Sequence, residues 1–209
     1  MPNTDVQFEA AFRQDEFRLL AGVDEVGRGP LAGPVVAAAC IIPKSVCLDG
    51  VKDSKALSAR NRRKLFWKIV AHTLTGIGVV YEREIDRINI LQASLLAMRE
   101  AVLALPVTPD LLLIDGHLRI DLPICQVPVI RGDEKLISIG AASIVAKVTR
   151  DEMMRVYDLQ YPHYGFRQHK GYPTQAHLAK LDQHGPSPIH RLSFRPVERL
   201  VSVSENVTR

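Results

Sequence analysis

Leu19-Leu20-Ala21-Gly22-Val23-Asp24-Glu25-Val26 is an apolar run that ends in two acids, and its reading decides the fold. A short run of this kind reads as a buried strand that delivers its last residues to a site. Gly27-Arg28-Gly29-Pro30-Leu31-Ala32-Gly33-Pro34 follows as a glycine- and proline-rich turn, and Val35 to Ile42 is a second apolar run that Pro43 stops. Two acids set directly against buried apolar residues are costly without a partner. The turn spells G-x-G-x-x-x-G, which invites comparison with a dinucleotide-binding fingerprint. That fingerprint opens a helix whose N-terminus receives the pyrophosphate. Here a strand-like run follows, and the acids upstream would repel a pyrophosphate unless metals intervene. The turn is better read as glycines that let a backbone approach a ligand closely, so that Arg28 can meet a phosphate. A plain hairpin turn between the two strands is the simpler alternative, and both readings can hold together.

Working outward, Asp49 to Ser58 is a polar loop, and Ser58 can cap a helix from Ala59 to about His72 that buries Leu65, Phe66, Ile69 and Val70. Thr75 to Tyr81 predicts a third strand. Ile88 to Leu105 predicts a long amphipathic helix, with Leu91, Leu95, Met98 and Val102 at helical spacing and Pro106 beyond its end. Leu111 to Asp115 is a fourth strand that again ends in an acid, and Gln126 to Ile130 is a fifth. Ser138 to about Leu159 predicts a helix whose small-residue first half permits close packing, and the chain from Thr174 onward reads as helical. Strands that come first as a group and then alternate with helices predict an α/β layered sheet with helices on both faces. We expect a polar N-terminal segment at 1–17, a core at 18–160, a basic helical extension of the same domain at 161–200 and a polar tail at 201–209.

A composition of 46% hydrophobic and 24% charged residues is ample for a packed core. Cys40, Cys47 and Cys125 form neither a C-x-x-C pair nor an even-numbered framework, which suits a reducing compartment. The N-terminus has no apolar signal region and no run reaches the length of a membrane span, so the expectation is a cytoplasmic protein with no membrane partner. The net charge of +4 matters less than its placement. Between Gln160 and Pro196 stand Arg167, Lys170, Lys180, Arg191 and Arg195 against the single acid Asp182, with five of the seven histidines. Such a segment suits a polyanion, and equally a solvated basic surface. His163, His169 and His177 match no standard zinc spacing and read as solvent- or phosphate-facing.

The acids share one design. Asp24 and Glu25 end the first strand, Asp115 ends the fourth, and Asp133 follows a glycine just after the fifth. Functional groups in α/β sheets gather at strand ends and the loops beyond. Taken singly, each acid is as well explained by a cap or a turn. If the strand ends are adjacent, four carboxylates converge, repel one another and call for a divalent cation. Hard oxygen donors then suit Mg²⁺ or Mn²⁺ rather than zinc.

AGVDEVGRGPLAGPVVAAA at Ala21 to Ala39 resembles the N-terminal signature of the ribonuclease HII family. The resemblance continues through DSKALS at Asp53 to Ser58, LLLIDG at Leu111 to Gly116 and RGDEKLISIGAASIVAKVTRD at Arg131 to Asp151. It ends in HYGFRQHKGYPTQAH at His163 to His177 and GPSPIHRLSF at Gly185 to Phe194. It implies a ribonuclease H-like mixed five-stranded sheet with a C-terminal helical extension. It also implies two divalent cations, Mn²⁺ or Mg²⁺, on Asp24, Glu25, Asp115 and Asp133. By the same resemblance Gly27, Arg28 and Gly29 contact the ribose 2′-hydroxyl and a neighbouring phosphate, Tyr172 packs on the sugar where RNA passes into DNA, and Ser54, Lys55, Ser143 and Lys147 face the backbone. Ser143 and Lys147, four residues apart, share a helix face. The implied substrates are RNA–DNA hybrids and DNA duplexes containing ribonucleotides, cut by a monomer. The tail at 201–209 is open to a sliding clamp or to fraying. Pro173, Ala56-Leu57 and Arg131 depart from the family pattern without removing an implied ligand. Another metal nuclease on a similar sheet, or a non-catalytic nucleic-acid binder, would share parts of this pattern.

Overall fold

Every residue from Leu20 to Asp24 is buried. Side chains alternate along a strand, so both faces are covered there and the strand must lie inside a sheet. The computed structural model describes residues 17–48, 50–51 and 58–200. Its elements run β1 (Leu20–Val26), β2 (Val35–Ile41), α1 (Ala59–His72), β3 (Leu74–Val80), α2 (Glu82–Leu103), β4 (Leu111–Asp115), β5 (Cys125–Val129), α3 (Gly132–Lys135), α4 (Ile137–Gln160), α5 (Phe166–His169) and α6 (Gln175–His184). The strands form one sheet in the order β3-β2-β1-β4-β5. β1 pairs antiparallel with β2, Ala21 opposite Ile41 and Val26 opposite Val36. It pairs parallel with β4, Val23 beside Ile114, and β4 pairs parallel with β5. The sheet is mixed and five-stranded, as expected. No helix among the described residues is long and apolar enough to cross a membrane.

The chain divides into two compact units. The first holds the chain up to Val26, Val36–Val79 and Leu95–Val148; the second holds Gly27–Val35, Val80–Ser94 and the chain from Thr149. In the first unit β2 is buried at every position, with alanine at 37, 38 and 39. Leu20, Leu111, Leu113, Leu136 and Ile139 form an apolar cluster between β1, β4 and the start of α4. Gly22 is the contact point: a Cβ there would lie 2.1 Å from the carbonyl carbon of Ser138. Only glycine allows this approach. In the second unit Ala32, Met154, Tyr164, Phe166 and Ile189 make one core, and Leu31, Leu181 and Val197 another.

Local signals explain most boundaries. Ser58 caps α1, its hydroxyl accepting from the Asn61 amide at 3.3 Å, and Thr174 caps α6 by accepting from His177 at 3.2 Å. α1 buries Leu65 and Ile69, whereas Phe66 is half-buried and Val70 exposed, a narrower stripe than expected. α2 starts six residues before the expected Ile88. Asn89 sits at φ 67° and breaks it, and its Oδ1 accepts from Leu91 and Gln92 at 2.9 and 3.1 Å. The periodicity from Ile88 thus belongs to a second helical segment with its own cap. β5 is shifted one residue toward the N-terminus. The short α3 and α5 carry too few residues to show a period. Parts of the expected loop at Asp49 to Ser58, including Ser54 and Lys55, lie outside the described residues, as do 1–16 and the tail.

Candidate active site

Parallel pairing of β1 with β4 places Val23 beside Ile114. One residue further along both strands come Asp24 and Asp115, on one face of the sheet. Asp24 is buried. Burial, then the neighbouring Glu25 and Asp115 carboxylates, hold its carboxyl well above the usual carboxylate range; a hydrogen bond from Ser143 and the Glu25 amide oppose that rise. The Glu25 amide donates to Asp24 Oδ1 at 2.8 Å. Asp115 is fixed from the other side, its Oδ1 accepting from the Gly132 amide at 2.6 Å and, more weakly, from Asp133 at 3.4 Å. Arg131, in the left-handed conformation, turns the chain from β5 into α3, whose first turn carries Asp133. Asp133 is buried, and a Cβ on Gly140 would meet its carbonyl oxygen at 3.0 Å. The structure therefore gathers Asp24, Glu25, Asp115 and Asp133 in one unit. Ser143, half-buried on α4, hydrogen-bonds Asp24, and Lys147 stands half-buried one turn on.

Do these residues fit a divalent cation? The donors are carboxylate oxygens, the type that Mg²⁺ and Mn²⁺ prefer. A buried carboxyl crowded by two others is the electrostatic situation a cation relieves. Among the described residues no three His, Cys, Asp or Glu groups are already arranged to hold an ion. A Mg²⁺ site that takes one or two carboxylates and completes its shell with water and substrate phosphate needs no such closed cage. The donor set fits.

The second unit holds the turn that begins at the residue after β1. Arg191 is fully buried. Its Nη2 donates to the carbonyls of Gly27 and Gly33 at 2.6 and 2.7 Å, its Nη1 to Arg28 at 3.1 Å and its Nε to Gly33 at 2.9 Å. Arg150, also fully buried, donates to Pro34, Ala32 and Lys170 carbonyls at 2.9, 3.1 and 3.0 Å. Two guanidiniums thus draw the turn's carbonyls inward. Burial and the nearby Arg150 push Arg191 down to about 9, with Glu82 and Asp86 opposing, so it remains a cation at neutral pH. The buried Glu82 carboxyl lies near both; burial raises it, with Arg191 and Arg150 opposing. Gly27 has φ +100°, and a Cβ there would lie 2.4 Å from Arg150 Nε, so both backbone and space require glycine.

Tyr172 belongs to the same unit. Leu31 donates to the Gly171 carbonyl at 2.8 Å, and a Cβ on Gly29 would lie 3.6 Å from the Tyr172 ring. Tyr172 is 39% exposed. Its carbonyl is held by a chain of neutral imidazoles. The Ser187 amide donates to His190 Nδ1 at 2.9 Å, which leaves the proton on Nε2. That proton faces His177 Nε2 at 3.1 Å, and His177 Nδ1 then donates to Tyr172 at 2.9 Å. Burial pushes both rings down to about 4.

These contacts correct the charge reading. Arg191 is not part of a surface facing a polyanion, and His177 faces neither solvent nor phosphate; each is buried and bonded to backbone. Arg167, Lys180 and Arg195 of that segment are exposed. Sequence reasoning missed Arg150 and Arg191 as organisers of the turn, because an arginine more than a hundred residues away in sequence carries no local signal of burial.

A mixed five-stranded sheet with acids at the ends of its central parallel strands has the layout of a ribonuclease H-like nuclease. The crystal structure of ribonuclease H2 from Pyrococcus horikoshii OT3 matches it with a TM-score of 0.76 and 26% identity, over 90% of this chain and 99% of that one. The ribonuclease HII family model matches residues 21–197. Ribonuclease HII of Geobacter metallireducens is 55% identical over 93% of this chain and 92% of its own length, and that of Geobacter sulfurreducens 53% identical over 91% and 88%. The chain belongs to the ribonuclease HII family and is a metal-dependent endoribonuclease acting on nucleic acid.

Proposed function

We propose that the protein hydrolyses the RNA strand of RNA–DNA hybrids and cuts 5′ of ribonucleotides embedded in duplex DNA, leaving 3′-hydroxyl and 5′-phosphate ends. The observation that carries this reading is the buried Asp24 carboxyl, crowded by Glu25 and Asp115 at adjoining strand ends. Asp24, Glu25, Asp115 and Asp133 would hold two divalent cations, Mn²⁺ or Mg²⁺. Such ions supply an activated water and stabilisation of the leaving 3′-oxygen. The protein's own part is position. Ser143 orients Asp24, and the Gly132 amide orients Asp115. Arg191 and Arg150 hold the carbonyls of the turn, and Gly27, Arg28 and Gly29 in it would contact the 2′-hydroxyl and a neighbouring phosphate. Tyr172 lies against the sugar, where a 2′-hydroxyl distinguishes RNA from DNA. Lys147, Ser54 and Lys55 contact the backbone. All three cysteines are free, in keeping with a cytoplasmic setting.

Asp24→Asn and Asp115→Asn, assayed on a duplex with one ribonucleotide, test the assignment. Each should lower the cleavage rate by about 10³-fold or more, each factor of ten being about 1.4 kcal/mol of barrier. Near-normal cleavage by either variant would sink it.

A further inference from the structure

α1 carries a surface that the catalytic reading does not use. Its sequence, ARNRRKLFWKIVAH, holds Arg60, Arg62, Arg63, Lys64 and Lys68 and no acid. Leu65 and Ile69 face the core. At about 100° per residue, Trp67 lies on the opposite side of the helix, with Arg60, Arg63 and Lys64 one or two turns before it. Trp67 is 63% exposed, and the Phe66 ring meets it edge-on at 5.1 Å.

This face works against the helix it belongs to. Arg60 and Lys64 fall in the first six residues, at the positive end of the helix dipole, and no acid occupies that first turn. Arg60, Lys64 and Lys68 follow one another at four-residue spacing, a like-charge row that destabilises a helix. A large indole in water adds to the cost. Local rules broken together in this way are expected where a partner compensates. A polyanion with apolar surface relieves all three costs: phosphates neutralise the cations and the dipole end, and a sugar or base edge covers the indole.

We infer that this face of α1 is a second contact for a nucleic-acid duplex, gripping its backbone outside the base pair being cut. α1 leads through Thr73 into β3, the sheet edge, two strand spacings or about 10 Å from β1. A duplex held at the acids and extending past that edge would meet phosphates every few ångströms. The inference rests on the proposed function for its choice of partner.

Trp67 is the chain's single tryptophan and reports on its own surroundings. In chelator, so that nothing is cut, the full chain is titrated with a long duplex containing one ribonucleotide. Trp67 emission should quench and become shielded from acrylamide. Arg60→Ala/Lys64→Ala should bind roughly tenfold more weakly, with a salt dependence shallower by about two phosphates. Its melting temperature should equal or exceed that of the parent, because cations leave the wrong end of a dipole. Unmoved Trp67 emission at saturating duplex, a salt slope unchanged in the variant, or a response to anionic vesicles but not to duplex overturns the inference. Cleavage of the same duplex after Mg²⁺ is added reports separately: cutting without a Trp67 response leaves the proposed function standing and removes this surface alone.

Discussion

The Arg191 guanidinium donates to the Gly27 carbonyl at 2.6 Å, across 164 residues of chain and wholly out of water. Methionine at 191 keeps the bulk but orphans the carbonyls of Gly27, Arg28 and Gly33. Each buried group so stranded costs about 1–3 kcal/mol. Arg191→Met should lower the melting temperature markedly and raise KM for the ribonucleotide substrate. Arg191→Lys keeps one or two donors and should recover stability more fully than KM. Equal recovery of both would show that Arg191 serves stability alone.

Asp24 carries the opposite balance. Its carboxyl is held above the usual range by burial and by Glu25 and Asp115, so ionising it at neutral pH costs folding energy. The sign follows from linkage: with the folded value above the unfolded one, stability falls as pH rises through the unfolded pKa. Asp24→Asn should therefore melt higher than the parent in metal-free neutral buffer, by roughly 2–4 °C for each kcal/mol relieved, while losing activity. The gain should vanish at acid pH, where the parent's carboxyl is protonated. Thermal melts in chelator at neutral and acid pH check both parts.

His177 and His190 define an acid limit. Their rings titrate at about 4 when folded, against about 6.5 unfolded. The unfolded chain then binds more protons between those values, so stability falls as pH drops from about 6.5 to about 4. A second proton would also set two N–H groups facing each other across 3.1 Å. His177→Gln should flatten this part of the pH–stability curve even if the variant is less stable at neutral pH. Chemical denaturation at several pH values measures it, and an unchanged slope would refute the neutral pair.

Gly22 sets how closely α4 approaches β1. Alanine there would place its Cβ 2.1 Å from a backbone carbon of Ser138, which nothing flexible can relieve. Overpacking of this kind costs about 1–3 kcal/mol or more. Gly22→Ala should lower the melting temperature and also the cleavage rate, since α4 carries the Ser143 that bonds Asp24. Loss of stability with full activity would show that α4 shifts without disturbing Asp24.

What could be read in the sequence follows the range of the forces involved. β1, β2, β4 and the cap at Ser58 are written in short patterns of burial and hydrogen bonding. Asp24, Glu25 and Asp115 were legible because they end apolar runs, and Asp133 because it stands just past one. Arg150, Arg191, His177 and His190 were not, since a buried cation or imidazole looks in sequence like a surface one until its distant carbonyl partners are known. The helix from Ile88 was legible by its period, but the segment from Glu82 that precedes it was hidden by the break at Asn89.

The most direct measurement compares two duplexes that differ by a single 2′-hydroxyl, incubated with the protein and Mg²⁺ or Mn²⁺, with every product end mapped. One cut is expected, on the 5′ side of the ribonucleotide, leaving a 3′-hydroxyl and a 5′-phosphate, and no cut in the all-deoxy duplex. Equal cleavage of both duplexes, or cleavage without a divalent cation, would contradict it.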